Sequence, residues 1–333
     1  MSTATSKRDL DSLPTAFDPA TCTKRGLCPV TQLRHQSEPF ESHSLYYELH
    51  GTGPEKLVFI MGLNSSAFAW GPQVRHFARS PRHTVLVFDN RGVGNSEYPR
   101  GPYTTGGMAE DVVVLLDHLG WTERRAVHII GISLGGMIAQ ELATRIPERI
   151  ASLVLAVTTP GGHFWQNFPP WKGLSSLTRL LFTPDLAKKT PIVMEMLFPT
   201  SWLQEKAKDD PEGRTNLQIE GEVYIRRMGI TQPQRFMGHI SQMFAALGHR
   251  VTPDRLRKIS TSIPKVAIVT GDQDNLVLPY HSFDLKRDMP EAEFAQWENT
   301  GHGIHVQRAE MFNALVERTC EEGRKLSNQE ASQ

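Results

Sequence analysis

The sequence has few cysteines, no net charge and no long apolar run, and each of these absences excludes a class of protein. Only three of the 333 residues are cysteines, so a disulfide framework is not expected and a reducing, cytoplasmic compartment is favoured. Lys and Arg number 36, as do Asp and Glu, and this balance argues against nucleic acid as the main partner. No stretch approaches the roughly 20 uninterrupted apolar residues that a membrane-spanning helix needs.

The sequence also lacks a secretory signal and a second pair of cysteines. The first residues lack the apolar core of a secretory signal. Cys22 and Cys28 lie in a polar stretch that has no matching second pair, so no metal site is expected. With 39% hydrophobic residues, the chain is typical of a soluble globular protein that has one large core and an insertion.

Short apolar runs alternate with helical patterns along most of the chain. Met108, Val112 and Leu115 share one helical face, and similar spacing follows residue 133 and recurs near the C-terminus. Apolar runs bounded by Gly, Asp or Asn are typical of strands buried on both faces. This alternation predicts an α/β fold with a mostly parallel central sheet and helices on both faces. The runs cover residues 56–62, 83–89, 127–131, 153–157 and 265–270.

The alternation of strand and helix patterns stops over residues 161–247, which are rich in aromatic residues, methionine and proline. We predict that these residues form a mainly helical cap inserted between two strands of the sheet. The cap is expected to roof the site, and its aromatic side chains are expected mainly to pack it onto the core. The predicted organisation is an N-terminal extension on the surface (1–38), the core (39–160 and 248–326), the cap (161–247) and a C-terminal tail (327–333).

The strongest local motif is Gly131-Ile132-Ser133-Leu134-Gly135, a G-x-S-x-G sequence between a predicted strand and a predicted helix. A serine on such a sharp turn has strained backbone angles, and side chains at 131 and 135 would collide with the turn. The hydroxyl is then presented above the strand ends, near the positive end of the helix. We therefore interpret Ser133 as a candidate nucleophile.

A serine nucleophile needs a general base and an acid that orients the base. In a strand-turn-helix site the acid and then the histidine follow the serine along the chain. Asp272 and Asp274 both follow a predicted strand, and we favour Asp274 because of its place in the turn. His302 lies between two glycines in an open loop and is the favoured base. His305 is interpreted as a structural or pocket-lining residue.

Acyl transfer also needs hydrogen-bond donors for the developing oxyanion. One donor is expected to be the backbone N–H of Leu134, the residue after the serine. The other is expected from the loop that ends the run 56–62, where the N–H of Leu63 is the best candidate.

These motifs resemble those of the α/β-hydrolase fold, in particular its esterase-like serine hydrolases with a helical cap. The resemblance covers about residues 44–316. In this family the D-x-R-G-x-G-x-S loop is mostly structural, so Asp89 and Arg91 receive no catalytic role. Many relatives have His-Gly where this chain has Met61-Gly62, but a main-chain N–H donor survives that change. The matching segments are GISLGG (131–136), DNRGVGNS (89–96), GDQD (271–274) and GHG (301–303).

The resemblance implies a two-step mechanism without a metal or organic cofactor. His302, oriented by Asp274, would deprotonate Ser133, and an acyl-enzyme would form and be released by water. The expected substrate is a small to medium apolar carboxylic ester or lactone. The same triad acting on a C–C, thioester or amide bond is one alternative, and a ligand-binding scaffold without turnover is another. Epoxide and haloalkane hydrolases are disfavoured because those branches have Asp where Ser133 stands.

Overall fold

The fold is built on one eight-stranded sheet within residues 13–34, 41–208 and 210–332, the part of the chain that the computed structural model describes. The strands are β1 (Cys22–Val30), β2 (His43–His50), β3 (Glu55–Ile60), β4 (His83–Phe88), β5 (Val127–Ile132), β6 (Ile150–Ala156), β7 (Lys265–Gly271) and β8 (Glu293–Trp297). Their order across the sheet is β1-β2-β4-β3-β5-β6-β7-β8. The β1–β2 and β2–β4 pairs are antiparallel and every other pair is parallel.

Helices cover both faces of this sheet, as predicted. Alternate residues of β3 enter opposite apolar clusters: Val58 and Ile60 pack with one set of helices, and Leu57 and Phe59 pack with the other. None of the described helices is both long enough and apolar enough to cross a membrane. The helices are α1 (Gly71–Phe77), α2 (Thr105–His118), α3 (Leu134–Arg145), α4 (Trp171–Leu181), α5 (Leu186–Leu197), α6 (Thr200–Gln204), α7 (Asn216–Ile230), α8 (Phe236–Leu247), α9 (Pro253–Ser262), α10 (Tyr280–Asp288), α11 (Ile304–Gln307) and α12 (Ala309–Ala331).

The central strands are buried along their whole length because helices lie on both faces. Every residue of β5 and of β6 is buried, which agrees with their mainly apolar sequences. The two polar exceptions, His128 and Ser152, hydrogen-bond to each other at 2.8 Å. The four strands β5 to β8 are neighbours and parallel, so their carboxyl ends lie along one edge of the sheet. In parallel α/β sheets this edge is the usual place for a ligand site.

The inserted helical cap expected between two strands is present. The chain leaves the sheet after β6, forms α4 to α8 and returns through α9 to β7. Phe198 is buried in a small apolar cluster of the cap that also contacts Val306 of the core, as expected for a side chain that holds the cap in place. Trp171 and Phe182 do not pack in this way, because each is 81% exposed. Packing onto the core therefore explains only part of the aromatic content of the cap.

The expected extension at residues 1–38 needs a correction where the structure describes it. Residues 22–30 are not a surface tail but the edge strand β1, which pairs antiparallel with β2. Gly26, Cys28 and Val30 are the buried, alternating positions of this strand. The alternation is hard to recognise in the sequence because it involves a glycine and a cysteine and is interrupted by a proline. Residues 1–12 and 35–38 lie outside the described part. At the other end, α12 continues to Ala331 through most of the segment expected to be a tail.

Candidate active site

Ser133 lies in a strained turn between β5 and α3. Its φ is +56° and its ψ is −123°, a combination of backbone angles that residues other than glycine rarely adopt. A Cβ at Gly131 would stand 2.4 Å from the carbonyl oxygen of Gly135, and a Cβ at Gly135 would stand 2.0 Å from that of Ile60. The turn therefore needs glycine at both positions, for the steric reason that the motif suggested.

Backbone hydrogen bonds hold this turn in place. The Ser133 N–H donates to Ala156 O at 2.9 Å, and Ser133 O accepts from Thr158 Oγ1 at 2.8 Å. Residues on either side of Ser133 are fully buried, whereas Ser133 itself is half-buried. The surrounding core thus stabilises the strained turn, and the side chain of Ser133 remains accessible.

The structure distinguishes the two candidate acids. Asp274 Oδ2 lies 2.7 Å from Nδ1 of His302, and both side chains are buried. Asp274 Oδ1 accepts the N–H groups of Leu276 and Val277 at 2.8 and 3.0 Å. Asp272 is exposed, and its carboxylate accepts the N–H of Thr300 at 3.0 Å. Asp274 is therefore the carboxylate that is paired with the histidine.

His302 follows β8 in a loop that is fastened to the cap. The Gly303 N–H donates to Leu197 O at 2.8 Å, and a Cβ at Gly303 would stand 2.3 Å from the Phe198 ring. The Gly301 N–H donates to Gln307 Oε1 at 2.8 Å. The absence of side chains at 301 and 303 thus lets the junction between α5 and α6 pack directly on the histidine loop.

His305, the competing histidine, lies in the apolar core. Its ring contacts Trp70 edge-on at a centroid separation of 4.9 Å and also lies against Phe312. Burial disfavours the charged imidazolium and lowers the pKa of His305 to about 3. A ring held neutral among aromatic side chains fits the structural interpretation of this residue.

The candidate oxyanion donors lie on either side of Ser133. A Cβ at Gly62 would stand 3.1 Å from the Ser133 Cβ and 3.6 Å from its Oγ, so the loop after β3 passes directly beside the serine. Leu63 follows Gly62 in that loop, and Leu134 is the first residue of α3. Among the hydrogen bonds of residues 13–34, 41–208 and 210–332, none uses the N–H of Leu63 or Leu134.

Two side chains that the sequence analysis did not single out hold the loop after β3. Asn90 Nδ2 donates to Met61 O at 2.9 Å, and Gln242 Oε1 accepts the N–H of Asn64 at 2.9 Å. Asn90 belongs to the 89–96 loop, which was expected to be structural, so its role could have been suspected. Gln242 lies on α8 in the cap, and its sequence surroundings carry no motif that indicates such a role.

The 89–96 loop is itself held by Asp89. Its carboxylate accepts the N–H groups of Ala67 and Asn95, each at 2.7 Å. Burial raises the pKa of Asp89 to about 6, and these two hydrogen bonds oppose that rise. Arg91 is paired with buried Asp111. The contacts of Asp89 and Arg91 agree with the structural role that the family resemblance gave this loop.

One group of potential metal ligands occurs among the described residues, and it lies on β1 and β2. Donor atoms of Cys22, Glu48 and His50 fall within 4.8 Å of one another. His50 Nε2 bonds Glu48 at 3.0 Å, and its Nδ1 bonds Thr21 Oγ1 at 2.9 Å. Glu48 also accepts from the Tyr46 hydroxyl at 2.7 Å. The Cys22 thiol lies 3.8 Å from Lys24 O. The side chains of this group are thus engaged with protein partners, as in a structural hydrogen-bond network.

Comparison with known proteins agrees with this architecture. The model of the alpha/beta hydrolase fold family matches residues 56–309. A protein of Caulobacter segnis named "Putative carbamate hydrolase RutD" is 28% identical over 277 residues, which cover 80% of this chain and 92% of the relative. A second relative of that name, from Azorhizobium caulinodans, is 27% identical over 280 residues, which cover 84% of this chain and 95% of the relative.

Solved structures show the same fold. A hydrolase from Pseudomonas aeruginosa PA01 has a TM-score of 0.67 at 22% identity, with 88% of this chain and 97% of that chain covered. An enol-lactonase from Burkholderia xenovorans LB400 has a TM-score of 0.62 at 22% identity, with 83% and 96% covered. The family match extends over most of the sequence, and the sheet, the turn at residue 133 and the cap agree with it. The chain therefore belongs to the α/β-hydrolase fold family.

Proposed function

We propose that this protein is a serine hydrolase that cleaves a carboxylic ester or a lactone through Ser133, His302 and Asp274. The observation that carries the proposal is the buried 2.7 Å contact between His302 Nδ1 and Asp274 Oδ2. This pair lies at the sheet edge where β5 presents the strained Ser133. A nucleophile, a base and an orienting acid at one strand edge are the requirements of acyl transfer.

Each step of the proposed reaction uses groups of the chain itself. His302 Nε2 takes the proton of Ser133 Oγ as that oxygen attacks the substrate carbonyl. Asp274 accepts the Nδ1–H bond and stabilises the imidazolium. Collapse of the tetrahedral intermediate transfers the proton to the leaving alcohol and leaves an acyl-enzyme. Water, deprotonated by the same histidine, then releases the acid and restores Ser133.

The oxyanion of both intermediates is assigned to the N–H groups of Leu63 and Leu134. They flank Ser133 and are not used by other acceptors of the described residues. Backbone donors held in a buried turn are preorganised, and losing one of them typically costs on the order of 10²- to 10³-fold in kcat.

A carbamate is the second substrate class to consider, because the Caulobacter and Azorhizobium relatives carry carbamate hydrolase in their names. A carbamate carbonyl would meet the same nucleophile and donors, so the site geometry alone does not separate the two classes. Purified protein assayed with matched p-nitrophenyl acetate and p-nitrophenyl carbamate, and with a small lactone, ranks them by kcat/KM. A carbamate preference above about 10-fold would replace the ester assignment.

The serine mechanism is tested with a fluorophosphonate probe, which labels an activated serine. We expect labelling and p-nitrophenyl acetate hydrolysis in the wild type and neither in Ser133→Ala. Ser175→Ala, which changes a serine on α4 bonded to Lys172 O, serves as a control and should behave as the wild type. A folded wild type that shows neither labelling nor turnover would favour the ligand-binding scaffold.

A reducing, cytoplasmic location is also proposed. It is supported by the three cysteines, all of which are free thiols.

A further inference from the structure

A glutamine of the cap makes direct contact with the backbone beside the proposed oxyanion site. Gln242 lies on α8 and is fully buried. Its Oε1 accepts the N–H of Asn64 at 2.9 Å, and its Nε2 donates to Arg91 O at 2.8 Å. One amide thus joins two loops of the core, the one after β3 and the one after β4. The two partners, a donor and an acceptor, fix which end of the amide faces which loop.

The bond to Asn64 acts on a strained position. Asn64 has a φ of +56°, in the left-handed region that glycine adopts most readily and that asparagine tolerates better than most other residues. Its own side-chain oxygen is buried without a hydrogen-bond partner in the described structure. The contact from Gln242 is therefore the side-chain bond that holds this backbone N–H.

The proposed donor lies between two such fastenings. Asn90 holds Met61 O on one side, and Gln242 holds the Asn64 N–H on the other. Leu63 lies within this span of four residues, and the direction of its N–H follows from how the span is fixed. A shift of about 1 Å in a reacting or stabilising group can reduce a rate by roughly 100-fold.

We infer that Gln242 is a positioning residue that aims the Leu63 N–H at the oxyanion. This inference rests on the proposed serine hydrolase function. It assigns the cap a part in the chemistry, because α8 must be docked for the loop after β3 to be held. Gln242 acts through the backbone of residues 61–64 and does not itself contact the reacting atoms.

The chain offers a matched control for general docking of the cap. Gln234 Nε2 donates to Gly92 O at 2.9 Å, so it also ties the cap to the loop after β4. Gly238 on α8 packs against the same carbonyl, where a Cβ would stand 2.6 Å away. Unlike Gln242, Gln234 makes no hydrogen bond to residues 61–64 in the described structure. Loss of its amide weakens docking without releasing the loop after β3.

The test compares Gln242→Met with Gln234→Met by kcat and KM for p-nitrophenyl acetate, by Ki for an alkyl trifluoromethyl ketone, and by thermal unfolding. Addition of Ser133 to this ketone creates an oxyanion in the same place as the reaction does. For Gln242→Met we expect kcat to fall about 10- to 100-fold, KM to change less than about 3-fold, and Ki to rise by about the same factor as kcat/KM falls. Gln234→Met should keep all three kinetic constants within about 3-fold.

Three results would overturn the inference: an unchanged kcat in Gln242→Met, a rise in KM alone, or an equal kcat loss in Gln234→Met. If Gln242→Met does not fold, Gln242→Asn is used, because its shorter amide cannot span both loops and should also lower kcat. Failure of the proposed function gives a different result, since the wild type itself would then show neither turnover nor labelling of Ser133.

Discussion

Asp274 and Asp272 stand two residues apart after the same strand, yet their carboxylates have different partners. Asp274 is buried against His302, whereas Asp272 is exposed and accepts the Thr300 N–H. The difference arises from the turn, in which Asp274 Oδ1 also accepts two backbone N–H groups. The direction in which the chain turns after β7 therefore decides which of the two carboxylates pairs with the histidine.

Asp274→Asn is expected to lower kcat/KM for p-nitrophenyl acetate by roughly 10³- to 10⁴-fold, because an amide no longer stabilises the imidazolium of His302. Asp272→Asn retains an oxygen that can accept the Thr300 N–H and should stay within about 10-fold of the wild type. Steady-state kinetics, with circular dichroism to confirm folding, checks both. Loss of activity in Asp272→Asn alone would reverse the assignment of the acid.

The residues that the sequence could predict are those with a backbone reason to be where they are. Gly131 and Gly135 are required by collisions with neighbouring backbone, and the G-x-S-x-G pattern expresses that requirement directly. Gln242 has no such local reason, since its partners are 178 and 151 residues away along the chain. Contacts of that kind depend on how the cap docks, which no local pattern encodes.

At the scale of elements, β1 is a strand that the hydrophobic pattern of the sequence did not predict. Its buried positions include Gly26 and Cys28, and Pro29 interrupts the apolar character. What makes it a strand is the antiparallel pairing with β2 over nearly its whole length. The central strands β5 and β6 could be recognised from the sequence, because they are buried on both faces and mainly apolar.

Burial along β1 makes a prediction about stability. Val30→Ala should lower the free energy of unfolding by about 2 kcal/mol, because Val30 is fully buried in the main apolar cluster. Lys24→Ala, at an exposed position of the same strand, should change it by less than about 1 kcal/mol. Urea denaturation followed by circular dichroism measures both. Equal effects would mean that β1 contributes little to the core.

At the scale of the whole molecule, buried histidines couple the stability of the fold to pH. Burial lowers the pKa of His249 to about 4 and that of His305 to about 3. In the unfolded chain a histidine titrates near about 6.5. Since the folded pKa values are lowered, the unfolded chain binds more protons below that pH. The folded state keeps this stability above about pH 6.5 and loses it as the pH falls towards the folded values.

The share of this pH dependence that comes from His305 can be measured. Between pH 7.5 and pH 5, His305 should account for a fall of about 2 kcal/mol in the free energy of unfolding, so His305→Leu should show a correspondingly smaller fall. His163→Leu, at an exposed position of the cap, should retain the dependence of the wild type. Urea denaturation at the two pH values provides the comparison. An identical fall in His305→Leu and wild type would contradict the lowered pKa.

The arrangement of strands and helices was more predictable from the sequence than the placement of individual side chains. Apolar runs indicated the parallel sheet, and the loss of alternation after β6 indicated the helical insertion. The outward exposure of Trp171 and Phe182 was not foreseen, because composition shows that aromatic residues are present but not which face they occupy. Those side chains give the cap an exposed apolar surface.

The order in which the chain supplies the proposed site has a consequence for biosynthesis. Leu63 and Ser133 are made early, whereas His302 follows β8, the last strand of the sheet. A nascent polypeptide on the ribosome would hold its serine unactivated until that final strand had emerged and paired with β7. Hydrolytic turnover would therefore report that β8 has joined the sheet, and its onset would time this step of co-translational folding.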